Sequence, residues 1–132
     1  MILLDTHALL WWVNGDGDRL TRAASAAISN GLKGGGIGVS SISAWEIAML
    51  VAGGRLALTM DVTAWLAKVE AIEGLDFIPV DNEIAVGSVA LPGEFHKDPA
   101  DRLIVATARK LGVGLVSADE RIRAYSHVRT VW

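Results

Sequence analysis

Ile2-Leu3-Leu4 passes through Asp5 directly into residues with helical spacing, and a short apolar run followed by a helix recurs along the chain. This alternation restricts the fold to a parallel sheet with helices on both faces, because a parallel partner strand is reached only through a crossover connection. Residues 37–40, 76–80, 114–117 and 128–131 read as further strands. The spacing predicts a first helix to about Val13, ended by Asn14-Gly-Asp-Gly17, and a second over 21–30. Ser43 opens a helix that stops at Gly53-Gly54, Asp61 caps one to about Glu73, and Asp81 or Asn82 starts a short one through Val89. Pro92-Gly93 interrupts the pattern. Asp98-Pro99 starts the best-marked helix, ending at Gly112, and a short helix lies between the last two strands.

At 132 residues the chain is expected to be one α/β domain spanning 1–132, without an internal boundary. The first apolar run is too short for a signal peptide or a membrane span, which points to the cytoplasm and to no membrane partner. With no cysteine there is no disulfide, thiolate metal site or cysteine nucleophile, so any metal ligands are oxygen or imidazole. The glycine-rich stretch at 34–38 lacks the Gly-Lys-Ser/Thr ending of a phosphate-binding loop and reads as a turn. A hydrophobic content of 52% is high for so small a domain and implies apolar surface that meets a partner. Charge is unevenly placed: residues 1–95 carry five basic and eleven acidic side chains, whereas from His96 onward seven basic face four acidic. If a metal neutralises Asp101 and Asp119, that end becomes locally cationic and able to hold phosphates; the alternative is a solvated face of helix charges.

Four acids occupy extended-to-helical junctions: Asp5, Glu46, Asp101 and Asp119. In alternating α/β chains such positions converge on one rim of the sheet. Carboxylates gathered there repel one another, so they hold protons or are neutralised by a hard divalent cation. Each acid also has a plainer reading. Ser43-x-x-Glu46 has the spacing of a capping box, Asp98, Pro99 and Asp101 fit the N-cap, N1 and N3 positions, and Asp119 fits the cap of the helix near Glu120. Asp5 stands apart, since an acid at the end of a buried strand needs a partner or a metal. Asp98 is assigned to capping and Asp101 to the cleft. Arg102 is expected to be solvated or salt-bridged, with a carboxylate or phosphate as the functional alternative. His7 and His96 adjoin acids, but no two of the three histidines have a familiar ligand spacing, and His127 is a bystander. Trp11, Trp12 and Trp45 sit among apolar helical residues and are expected in core or interface packing rather than stacked on bases.

Taken together, Leu3-Leu-Asp5-Thr-His-Ala-Leu-Leu-Trp-Trp12, Ser43-Ala-Trp-Glu46-Ile, His96-Lys-Asp-Pro-Ala-Asp101-Arg-Leu-Ile-Val-Ala-Thr-Ala and Ser117-Ala-Asp119 resemble the PIN-domain ribonucleases, most of all the VapC-type toxins of toxin–antitoxin pairs. The resemblance runs from Met1 to the C-terminus. It implies a central parallel sheet flanked by helices, Mg2+ or Mn2+ in an acidic cleft, and hydrolysis of RNA phosphodiester bonds. Asp5, Glu46 and Asp101 carry over as the metal-site and catalytic acids, with Asp119 as the fourth, although Glu120 directly follows it. A homodimer and an inhibiting cognate antitoxin are implied as well. Two other functions remain: a catalytically silent binding or interaction module, and aspartyl-phosphate hydrolysis, for which His7 stands where a second Asp is usual.

Overall fold

The computed structural model describes residues 1–132. Five strands form one parallel sheet in the order β3-β2-β1-β4-β5, flanked by seven α-helices. The strands are β1 (Ile2–Leu4), β2 (Ile37–Ser40), β3 (Leu75–Ile78), β4 (Gly114–Val116) and β5 (Thr130–Val131). The helices are α1 (Thr6–Val13), α2 (Arg22–Lys33), α3 (Ser41–Ala52), α4 (Val62–Glu70), α5 (Asn82–Val89), α6 (Pro99–Leu111) and α7 (Glu120–Arg123). The α/β class and parallel pairing agree with the sequence reading. No helix is long and apolar enough to cross a membrane.

β1 is central, with Leu3 in register with Gly38 of β2 on one side and Leu115 of β4 on the other. Successive strand residues face opposite sides of a sheet. Leu4 and Val116 therefore join the larger core with Leu9, Ile28, Val39, Ile47 and Trp65. Leu3 and Leu115 join the other, against Ile104, Val105 and Ile122. From β1 the chain builds outward to β2 and β3, then returns to place β4 and β5 on the opposite side. The switch in direction falls between β1 and β4, where open α/β sheets leave a crevice at the carboxyl ends of their strands.

Several boundaries differ from expectation for identifiable reasons. α2 continues through Gly31 to Lys33 instead of stopping at residue 30, because Gly31 packs where a Cβ would lie 3.0 Å from Ile2 and 3.1 Å from Ile37. Here glycine permits close helix–sheet packing rather than ending the helix. α4 ends at Glu70 rather than near Glu73, and β3 stops at Ile78, ahead of Pro79, which has no N–H for a ladder. β5 is only two residues long. α6 follows its sequence signals closely, with Asp98 as N-cap, Pro99 in the first turn and Gly112 in the left-handed conformation at φ 65°.

Candidate functional site

A cavity of about 560 Å³ opens at the switch point. Five carboxylates line it: Asp5, Glu46, Asp98, Asp101 and Asp119. All four acids singled out from the sequence are thus brought together, and Asp98 is added. Glu120 is exposed and absent from the lining, so of the neighbouring pair it is Asp119 that faces the cavity.

Asp5 sits just beyond β1 and is only 7% exposed. Its backbone N–H donates to the Val116 carbonyl, which ties it to β4. Its Oδ1 also accepts from the Ala8 N–H at 2.9 Å, so Asp5 caps α1. The expectation that Asp5 alone lacked a capping role is therefore corrected: a strand that runs directly into a helix makes its last junction residue the N-cap. Asp119 caps α7 in the same way, accepting from the N–H groups of Arg121 and Ile122, and Asp98 caps α6 through the Asp101 N–H.

The capping box is not formed. β2 enters α3 without a loop, so Ser40 is the N-cap and Ser43 lies a turn inside, buried. Glu46 is beyond capping reach and serves the cavity instead. Its Oε1 accepts from the Thr6 hydroxyl, which lies 2.9 Å from the Ser43 hydroxyl. Thr6 has one proton and gives it to Glu46, so Ser43 donates to Thr6. This relay ties α1 to α3, and its signal in the sequence was only a hydroxyl next to Asp5.

Electrostatics separate the acids. Burial holds the Asp5 carboxyl above the ordinary carboxylate range, despite bonds from Ser117 and Ala8. Burial likewise raises Glu46, partly offset by Thr6. Asp101 is pushed up to about 7, first by burial and then by the charges of Asp98, Asp119, Glu46 and Asp5. Burial acts upward on Asp119 too, but the Ile122 and Arg121 N–H groups and the Arg121 guanidinium outweigh it, and the net shift is downward.

The linkage has a definite sign. Asp101 binds a proton in the folded chain at pH values where the unfolded chain has released it, so its contribution to stability is present in mild acid and is lost as pH rises through about 7. Asp5 and Glu46 act in the same direction. His96, lowered mainly by burial, opposes them below its ordinary value of 6.5. Thermal melts in chelator are expected to show Asp101 lowering the melting temperature as pH rises from about 5 to about 7, with the slope levelling above that, and Asp101→Asn should flatten it. A wild-type profile rising across this window would contradict the assignment.

His96 places Nε2 3.1 Å from Asp101 Oδ2 without the alignment of a hydrogen bond, while its Nδ1 accepts from the Asp98 N–H. With Nδ1 accepting, a neutral ring carries its proton on Nε2. His7 is exposed on the cavity rim, its ring 5.8 Å from Trp11; His127 is absent from the lining. Of the tryptophans, Trp65 is buried, Trp12 packs partly buried against the core, and Trp11 and Leu50 form apolar wall in the cavity. Trp45 is 52% exposed.

Arg102 is neither solvated nor ion-paired. Its guanidinium donates to the carbonyls of Ser88, Val89, Phe95 and His96 and clamps the strap leading into α6. The cations at the cavity are Arg55 and Arg121, neither singled out by sequence reasoning.

The donor set is hard oxygen and its like charges are partly desolvated, which suits a divalent cation such as Mg2+ or Mn2+. No group of three or more acids or histidines is assembled as a ready metal site, so ligation requires side-chain adjustment.

The PIN domain family model matches residues 2–128. The chain is 39% identical to Ribonuclease VapC22 of Mycobacterium tuberculosis over 133 residues, covering 99% of this chain and 98% of that protein. Its fold is similar to that of Mycobacterium tuberculosis VapC20, a sarcin-ricin loop cleaving toxin, with TM-score 0.67 at 16% identity, covering 98% of this chain and 99% of that one. It is also similar to a chain of a toxin–antitoxin complex from Klebsiella pneumoniae, with TM-score 0.64 at 20% identity over 97% and 95% of the two chains.

Proposed function

The chain belongs to the PIN-domain family and is a homologue of a VapC-type ribonuclease, and from that premise we propose that it is a metal-dependent endoribonuclease and the toxin of a toxin–antitoxin pair. The observation that carries the reading is the convergence of Asp5, Glu46, Asp98, Asp101 and Asp119 on one cavity, where burial and the neighbouring charges push the Asp101 carboxyl up to about 7. Such mutual repulsion at a crevice is relieved by a hard cation.

In this reading Asp5, Glu46 and Asp101 hold Mg2+ or Mn2+, with Asp119 as a fourth member. When bound, the ion supplies Lewis-acid stabilisation of charge on a phosphate and acidifies water at neutral pH. The chain's own groups do the positioning. Thr6 orients Glu46, the α1 cap fixes Asp5, and the α6 cap sets Asp101 one turn from Asp98. Arg55 and Arg121 supply positive charge for the RNA backbone at a site otherwise acidic. RNA, rather than DNA, as substrate rests on the homologue.

A cognate antitoxin is the proposed protein partner. A groove beside the cavity, lined by Trp45, Met49, Leu50 and Pro99 with Arg55 at its edge, offers an apolar track leading to the acids. Val86 and Val89, 69% and 80% exposed on α5, supply apolar surface for the proposed homodimer. The proposed place of action is the cytoplasm.

The test is incubation of antitoxin-free protein with total RNA. Cleavage with Mg2+ or Mn2+ that stops on chelation is expected; intact RNA with either metal would favour a silent binding module. That second reading draws on one observation, the lack of a preassembled ligand set.

A further inference from the structure

Two arginines line the acidic cavity, and they differ in what they touch. Arg55 makes no ion pair, whereas the Arg121 guanidinium lies 3.5 Å from Asp119 Oδ2 and 3.8 Å from Asp101 Oδ2. Arg121 lies in α7, a helix of a single turn (Glu120–Arg123) whose start is capped by Asp119. The contacts of its guanidinium are with the two carboxylates. The Arg121 side chain is 62% exposed, against 18% for Asp101 and 32% for Asp119, so the guanidinium lies over the acids from the solvent side.

We propose that Arg121 is the built-in counter-ion of the acidic cluster, displaced by the divalent cation and then engaging a phosphate of the RNA backbone. The proposal rests on the metal-dependent reading above. A cation bound by Asp101 and Asp119 neutralises the charge that holds Arg121 and repels the guanidinium. Asp101 and Asp119 are the only carboxylates with which the long, exposed Arg121 side chain pairs. Its planar fork matches a phosphate bidentately. Cation and Arg121 thus compete for the same carboxylates, while cation and phosphate do not compete for Arg121. One residue consequently opposes metal binding and favours substrate binding.

The test measures both signs on antitoxin-free full-length protein. Titration calorimetry with Mn2+ alone, without RNA, should show Arg121→Gln binding the ion about two- to fivefold more tightly than wild type, the range expected for removing an exposed ion pair. Cleavage of a single-stranded RNA oligomer at saturating Mn2+ should show KM raised roughly threefold or more from loss of one phosphate contact, with a smaller change in kcat. Arg123→Gln, on the same helix and outside the cavity, should change neither quantity. A purely structural Arg121 would weaken both, because Asp119 caps α7. Mn2+ binding unchanged or weakened in Arg121→Gln overturns the counter-ion role, and an unchanged KM overturns the phosphate role. Absence of Mn2+ binding in wild type and variant alike removes the metal-site reading itself, and this proposal with it.

Discussion

Asp5→Asn and Asp101→Asn are each expected to lower kcat/KM for RNA cleavage by at least about 100-fold, since even partners that only support a metal ligand cost about 10–100-fold. The metal-free variants should nevertheless melt at or above the wild-type temperature. Asparagine caps a helix as well as aspartate does, so the bond from the Ala8 N–H to residue 5 survives the change. What is lost is a charge that the fold holds at a cost: burial raises both carboxyls, and at Asp101 four other acids add to it. Loss of function without loss of stability separates a group retained for chemistry from one retained for structure. Parallel RNA time courses and melting curves supply the check. Near-normal turnover in either variant would remove that residue from the proposed site.

Arg102→Met reverses this pattern. Methionine keeps an apolar stem of similar length but donates nothing, and the four carbonyls of Ser88, Val89, Phe95 and His96 lose their common donor. A hydrogen bond from a charged donor contributes about 1.5–3 kcal/mol, and exposed carbonyls recover part of this from water, so a loss of about 3 kcal/mol is expected. For a domain of this size that lowers the melting temperature by roughly 10 °C. Lysine should not restore it, because one ammonium lacks the planar fork that serves carbonyls from two segments at once. Denaturant titration of the two variants measures the loss directly. A change below about 0.5 kcal/mol, the size typical of an unremarkable surface substitution, would show that the clamp is incidental.

Arg102 also shows where sequence reading stops. Its partners are backbone carbonyls, which every residue has, so no pattern of side chains announces them. Arg55 was missed, and Arg121 was not separated from the other basic residues after His96, for a related reason: their approach to the cavity depends on how α7 and the turn after α3 pack. The junction acids were legible because α/β topology sends every strand end to the same rim, whatever each acid does locally. Capping and site geometry then proved to be the same fact for Asp5 and Asp119, whose oxygens hold a helix start at the cavity edge. Ser43 misled because Ser40-Ser41-Ile42-Ser43 offers three hydroxyls as candidate caps, and only the absence of a loop after β2 selects the first. Strand and helix order followed from apolar runs and breakers, while the ends of α2, α4 and β5 depended on packing that no local window contains.

The strand order has a temporal meaning as well. β1 comes first in chain order among the five strands, yet it is the middle of the finished sheet, and Asp5 takes its place only when its N–H meets the carbonyl of Val116. Chain growth delivers β2 soon after β1, but Asp101, β4 and Asp119 follow only after β3 and α5. Long-range pairing of this kind cannot be completed by a growing N-terminal fragment. A nascent chain therefore carries the first acid of the pocket without the pocket, and whatever chemistry the pocket performs is deferred until β4 and α7 have been made.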